Sequence, residues 1–67
     1  MPLEPRTSSP LEAAYVAAWN ARYSATTAHE CMEYCALAME HLDKLHHMET
    51  NFVRLKIGEA QRHWGLQ

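Results

Sequence analysis

The sequence has few of the residues that interrupt helices or build catalytic loops. Among its 67 residues are two glycines and three prolines, and none of these lies between Thr27 and Leu55. With so few glycines, there is no glycine-rich phosphate loop and no nucleophile elbow. No third group is arranged to orient a Cys–His pair for nucleophilic catalysis. We therefore expect no enzymatic activity.

Basic charge and long apolar runs are also scarce. Six Lys and Arg against eight Asp and Glu give a net charge of −2 with His neutral, whereas duplex-binding domains carry a basic excess. No apolar run of membrane-spanning length and no signal-peptide core is present. Cys31 and Cys35 would lie one turn apart on one helix face, which is a poor geometry for a disulfide. We expect a cytoplasmic protein that binds neither membrane nor nucleic acid, and a DNA-binding regulator is the least favoured of four functional hypotheses.

What the sequence does contain is a long amphipathic segment. Its apolar residues recur at steps of four and three, which is typical of one buried face of an α-helix. This stripe consists of Cys31, Cys35, Ala38, Leu42, Leu45, Met48, Phe52 and Leu55. Thr27 and Glu30 form a capping-box pattern that predicts the start of the helix. Thr50 and Asn51 could end it and cap a third helix, but the stripe keeps its phase there, so we predict one long helix.

A shorter first helix is predicted to precede it. Ser9 can cap this helix, and Pro10 suits its first position. The helix is thin and has apolar residues on two sides, which indicates contacts with more than one neighbour; its alanines are Ala13, Ala14, Ala17, Ala18 and Ala21. One unbroken helix from Pro10 is the competing interpretation. We favour a break at residues 24–27 because Ser24, Thr26 and Thr27 cluster there beside a good cap.

These elements predict an all-α fold. Residues 1–9 contain prolines, serines and a threonine without an apolar period, so we interpret them as a flexible arm. Residues 10–67 are predicted to form a single helical-hairpin domain with a short helix 1 and a long helix 2. Since a hairpin of this size has a marginal core, we expect it to dimerise into a four-helix bundle.

The aromatic residues are the candidate partner-binding residues. Tyr15, Trp19 and Tyr23 are spaced by fours and form a row on helix 1, and Phe52 and Trp64 lie further along the chain. A bundle core would account for them. Tyr and Trp are also favoured at interface hot spots. We predict a small adaptor, regulator or inhibitor that binds itself, as a homodimer, or another protein through a helical surface.

Two further hypotheses concern a metal ion and a larger complex. Five His and two Cys are present, and Cys31-x3-Cys35 has the spacing of one zinc-ligand pair. His46 could join these cysteines only from an antiparallel partner chain. Buried apolar thiols are the commoner situation, so we predict no metal and no cofactor. An accessory subunit of a larger enzyme, anchored by Trp19 and Trp64, is the remaining alternative.

Overall fold

The computed structural model describes residues 2–6, 9–46 and 49–66. In these residues the chain forms three α-helices and no strand: α1 Pro10–Tyr23, α2 Ala28–Leu42 and α3 Asn51–His63. The all-α prediction is confirmed. The helices have 14, 15 and 13 residues, so the predicted pair of one short and one long helix is wrong in its number of helices and in their lengths.

The long second helix is divided at the end of α2. After Leu42 the backbone tightens, because the N–H of Lys44 and the N–H of Leu45 each donate to the carbonyl three residues earlier, at 3.2 and 2.9 Å. A new helix then starts at Thr50, whose carbonyl accepts from the N–H of Val53 at 3.0 Å. Thr50 and Asn51 thus begin a third helix. The phase of the apolar stripe had favoured one continuous helix at this point. Met48, a member of the predicted stripe, lies outside the described residues.

The predicted break between the first two helices is confirmed. α1 ends at Tyr23, and Thr27 is the N-cap of α2, with its hydroxyl accepting from the N–H of Glu30 at 3.1 Å. The Glu30 carboxylate accepts from the N–H of Thr26 at 2.7 Å and also from the Thr26 hydroxyl. In the usual capping box the Glu carboxylate accepts from the N–H of the N-cap residue itself. Here it accepts from Thr26, the residue before the N-cap. An unbroken helix from Pro10 is excluded.

The core is built on both sides of α1. It consists of Ala14, Ala17, Ala18 and Ala21 from α1, Cys31, Cys35, Ala38 and Leu42 from α2, and Val53, Ile57 and Ala60 from α3. α1 packs against both other helices, whereas α2 and α3 touch each other much less. Small alanine side chains allow this close approach on two sides. The expectation that the thin first helix contacts more than one neighbour is confirmed.

The direction of the helices follows from a few contacts. Tyr15 and Tyr23 of α1 lie beside Phe52 and Lys56 of α3, respectively, so α1 and α3 run in the same sense. Near the start of α2, the Cys31 thiol donates to the carbonyl of Ala60, near the end of α3, across 3.7 Å. α2 therefore runs opposite to the other two helices.

α3 ends in a glycine turn. Gly65 has a φ of 68°, in the left-handed region that favours glycine. The N–H of Leu66 then donates to the carbonyl of Gln61, five residues earlier, at 2.8 Å. Of the two bonds that define a Schellman-type ending, this is the one that spans more residues. This turn brings Trp64 and Leu66 back onto the core, where both are partly buried.

The segment before α1 lies against that helix. Leu3 exchanges two hydrogen bonds with the side chain of Asn20, and the N–H of Arg6 donates to the Glu12 carboxylate at 3.1 Å. Residues 1, 7 and 8 of the predicted flexible arm lie outside the described residues, and the flexibility of the arm stays a prediction. Across the part of the chain that is described, no helix combines the length and the apolar character needed to cross a membrane.

Candidate partner-binding surface

Four of the five predicted partner-binding residues come together on one side of the molecule. The spacing by fours places Tyr15, Trp19 and Tyr23 along α1, and the first turn of α3 adds Phe52. The rings of Tyr15 and Phe52 are 5.7 Å apart and tilted by 41°. Those of Trp19 and Tyr23 are 5.0 Å apart and tilted by 48°. We call these four residues the aromatic face.

The aromatic face is largely uncovered. Tyr15, Tyr23 and Phe52 keep 37%, 52% and 43% of their surface exposed, and Leu55, one turn beyond Phe52, keeps 65%. The predicted stripe placed Phe52 and Leu55 on the buried face of a helix, and that placement is wrong. The reason is that α3 has its own orientation and buries Val53 instead. Two helices thus present adjoining apolar side chains to solvent.

One end of the aromatic face is positively charged. The Lys56 ammonium donates to the Tyr23 hydroxyl at 3.3 Å and lies 5.1 Å from the centre of that ring. The Arg22 guanidinium lies 5.0 Å from the same ring. The hydrogen bond to Tyr23 is the main cause that raises the pKa of Lys56, and Glu59, 3.3 Å from the ammonium, adds to it. Lys56 therefore stays protonated at neutral pH, and Glu59 is the acid with which it pairs.

Trp64 is separate from the aromatic face. Its side chain is partly buried against the core, and its ring meets the edge of His63 at 5.8 Å. Within the described residues its buried indole N–H has no hydrogen-bond partner, which is uncommon for a Trp at such a site. The structure thus docks Trp64 on its own chain, so it is not part of a surface shared with Trp19.

The cysteines occupy the core between α2 and α3. Cys31 is fully buried and Cys35 is 6% exposed, and both are free thiols. Burial, helped by the adjacent Cys31, raises the pKa of the Cys35 thiol to about 12, which disfavours the thiolate that metal binding and nucleophilic attack require. His46 is exposed in the segment after α2. Among the described residues no three His, Cys, Asp or Glu side chains are grouped so that they could hold a metal ion.

Lys56 contacts Tyr23 of the aromatic face and Leu55 lies exposed one turn from Phe52, but neither was predicted as a site residue. Sequence reasoning placed Leu55 in the core because it extended the phase of α2 past Leu42. A readable signal was present, since Val53, Ile57 and Ala60 are themselves spaced by four and three from the Thr50 cap. Starting a new helix at Thr50 would have turned Leu55 and Lys56 outward.

Comparisons with known proteins give no relative from which a function can be transferred. No protein-family model, curated protein or solved structure matches this chain. The aromatic face is therefore interpreted from its own geometry and charge.

Proposed function

We propose that this protein is a small adaptor or regulator that binds another protein through the aromatic face and has no catalysis of its own. The observation that carries the proposal is the exposure of Tyr15 and Phe52, at 37% and 43%, whose rings meet between α1 and α3, together with Leu55, 65% exposed one turn along α3 from Phe52. Contiguous apolar surface of this kind marks interaction sites on small proteins. Tyrosine is also among the residues that contribute most to binding at interfaces.

The charge around the aromatic face supports a particular partner chemistry. Arg22 and Lys56 border its Tyr23 end, and Glu59 pairs with Lys56 there. A partner with complementary charge carries acidic side chains beside an apolar stripe. An amphipathic acidic helix provides both, and laying its apolar stripe between α1 and α3 is a common mode of peptide recognition. We therefore propose an acidic helix of another protein as the bound segment.

A second copy of the chain is the alternative occupant. Pairing two aromatic faces would bring α1 and α3 of both copies into a four-helix bundle, and it would cover Leu55 of each copy. The same pairing brings Arg22 and Lys56 of both copies to one interface, where Glu59 pairs with Lys56 but each copy adds two cations for that one acid, so charge favours a different protein. As an accessory subunit of a larger enzyme, the protein would use the same surface to bind one partner permanently. In either case we place the protein in the reducing cytoplasm, in keeping with its two free thiols.

The first test compares two matched substitutions of exposed apolar residues. Leu55→Glu adds a charge one turn from Phe52 of the aromatic face, and Met32→Glu changes α2, where Met32 is 55% exposed. Light scattering over a dilution series measures the mass of the wild-type chain and of both variants. We expect a monomer in each case. A wild-type dimer that Leu55→Glu dissociates and Met32→Glu preserves would assign the face to a second copy instead.

The partner itself is tested by affinity capture with the same variants. We expect a protein that the wild-type chain and Met32→Glu capture equally and that Leu55→Glu loses. That protein, purified, should bind the wild-type chain directly, and its binding should weaken at least tenfold with Leu55→Glu because an exposed apolar side chain beside the aromatic face is replaced by a charge that an acidic partner repels. Equal binding by both variants would refute the proposed role of the aromatic face. A stable one-to-one complex would indicate an accessory subunit, and rapid dissociation a regulator.

A further inference from the structure

A buried asparagine pairs with the main chain of the N-terminal segment. Asn20 lies in α1 and is 4% exposed. Its amide nitrogen donates to the Leu3 carbonyl, and its amide oxygen accepts from the Leu3 N–H, both at 2.8 Å. The same oxygen accepts from the Ser24 hydroxyl at 3.0 Å. Because one side chain satisfies both main-chain groups of one residue, Asn20 holds an extended backbone whatever the side chain of that residue is.

The groove around Asn20 is wider than the segment that it holds. Pro2, Leu3 and Pro5 form one wall of a cavity of about 240 Å³, and α1 and α2 form the groove that lines the rest of it. Helical residues that line this cavity include Val16, Ala17, Tyr34, Leu37 and His41. The Leu3 side chain, which lies at the groove, is still 44% exposed. The resident segment thus contributes its backbone bonds without filling the apolar space.

We propose that this groove is a peptide-binding site for an extended segment of another protein in which a leucine stands between nearby prolines. The chain's own residues 2–5, Pro-Leu-Glu-Pro, show the pattern that fits. Prolines keep such a segment extended before it binds, so little conformational entropy is lost on binding. An incoming segment that also fills the 240 Å³ cavity buries apolar surface that residues 2–5 leave open. Residues 2–5 then act as a tethered competitor.

This site and the aromatic face share α1 but use different second helices. Around α1, Asn20 lies about 140° from Tyr15 and about 60° from Tyr23. The groove uses α1 and α2, whereas the aromatic face uses α1 and α3. One site can therefore be present when the other is absent, and their tests are separate.

The test uses the full-length chain and a synthetic peptide with the sequence of residues 2–6. In the Leu3→Pro variant the resident segment loses the N–H that donates to Asn20 and keeps only the carbonyl that accepts from it, so the segment is held less tightly in the groove. Binding is followed by NMR at the side-chain amide of Asn20. We expect the peptide to bind Leu3→Pro roughly tenfold more tightly than the wild-type chain, since the tethered competitor lowers the available fraction of sites.

Two controls isolate the hydrogen bonds. A peptide with N-methyl-leucine in place of leucine has nearly the same apolar surface but no N–H at that position, and we expect it to bind roughly tenfold more weakly. Asn20→Ala, added to Leu3→Pro, should abolish binding while circular dichroism shows an unchanged helix content. If Leu3→Pro does not fold, the wild-type chain at higher peptide concentration should still prefer the unmethylated peptide.

Several results would overturn the proposal. Equal binding of the two peptides would show that the leucine N–H does not donate a hydrogen bond to Asn20 in the complex. Equal affinity of the wild-type chain and folded Leu3→Pro would show that residues 2–5 are not a competitor. The proposal also fails if folded Leu3→Pro leaves the Asn20 amide unshifted at millimolar peptide. A wild-type dimer that Leu3→Pro abolishes would assign the groove to the N-terminal segment of a second copy.

Discussion

Val53 and Leu55 are two residues apart on α3, yet Val53 is fully buried and Leu55 is 65% exposed. Alanine substitution at these two positions tests the placement of α3 directly. If the second helix instead continued to Leu55 in the phase of Cys31, Cys35 and Ala38, Leu55 would be buried and Val53 would face outward. The two arrangements therefore predict opposite orders of destabilisation.

The magnitude follows from the groups removed. Val53→Ala deletes two buried methyl groups at about 0.8 kcal/mol each, and the remaining cavity raises the cost to about 2 kcal/mol. Alanine is the better helix former by about 0.5 kcal/mol, so the net loss is about 1.5 kcal/mol. Leu55→Ala should stay within about 0.5 kcal/mol of wild type because its side chain is mostly in solvent. For a domain of this size the Val53→Ala loss corresponds to a Tm lower by about 6 to 12 °C.

Urea unfolding followed by circular dichroism measures both variants, at a concentration where light scattering shows a monomer. The slope of the free energy against urea should be unchanged, so that a shift in midpoint reports stability. Thermal unfolding of the same samples provides the Tm. The three-helix arrangement is refuted if Leu55→Ala costs about 2 kcal/mol or more and Val53→Ala costs nothing.

Three further predictions concern the start of α2 and the core thiol. Thr27→Ala should lower the free energy of unfolding by about 1 kcal/mol, since the N-cap acceptor is lost, whereas Thr27→Ser should retain most of it; urea unfolding measures both. The Thr26 hydroxyl, followed by its N–H, lowers the pKa of Glu30 below 4.5. This contribution to stability is present above pH 4.5 and is lost as the pH falls through the lowered folded-state pKa. Glu30→Gln should therefore flatten the acid side of the stability curve, and an unchanged curve would contradict the assignment. Because the pKa of the Cys35 thiol is about 12, it should react with an aromatic disulfide reagent far more slowly in the folded chain than in urea. Equal rates would show that folding does not protect the thiol from the reagent.

Local sequence signals predicted the starts of the first two helices correctly. Pro10 is the first residue of α1, and Ser9 stands at the N-cap position but makes no side-chain cap hydrogen bond, so its predicted side-chain cap is wrong. Thr27 with Glu30 opens α2 as predicted, because a helix start needs acceptors for its first N–H groups and here a nearby side chain provides one. Where the Glu30 carboxylate would find its donor, at Thr26 instead of Thr27, depended on the turn geometry.

The boundary between α2 and α3 was not predictable in the same way. The segment from Asp43 to Asn51 contains neither glycine nor proline, and Leu45 keeps the phase of the stripe. Leu45 is indeed partly buried against the core, so the pattern was right at that residue although the helix had already ended. Nothing local forbids a continuous helix there.

In the candidate site, too, the sequence predicted some features and the packing of the helices decided the others. The spacing of Tyr15, Trp19 and Tyr23 was enough to place them in one row, because a helix repeats every 3.6 residues. That Phe52 joins this row, while Trp64 docks elsewhere, depends on α3 packing beside α1 in the same direction. The contact between Leu3 and Asn20 joins residues 17 apart, and no local pattern indicates it.

The amino-acid sequence by itself determined the helical class, the starts of the first two helices with the Thr27 cap of the second, and the alanine-rich character that lets α1 pack on two sides. These properties depend on interactions within one or two turns. Only the tertiary structure decided that the chain folds back after Leu42. Folding back buries Val53 and Ile57 against a core that includes α1, and this gain in buried apolar surface exists only once distant segments meet. The same packing left Phe52 and Leu55 in solvent and thereby created the aromatic face.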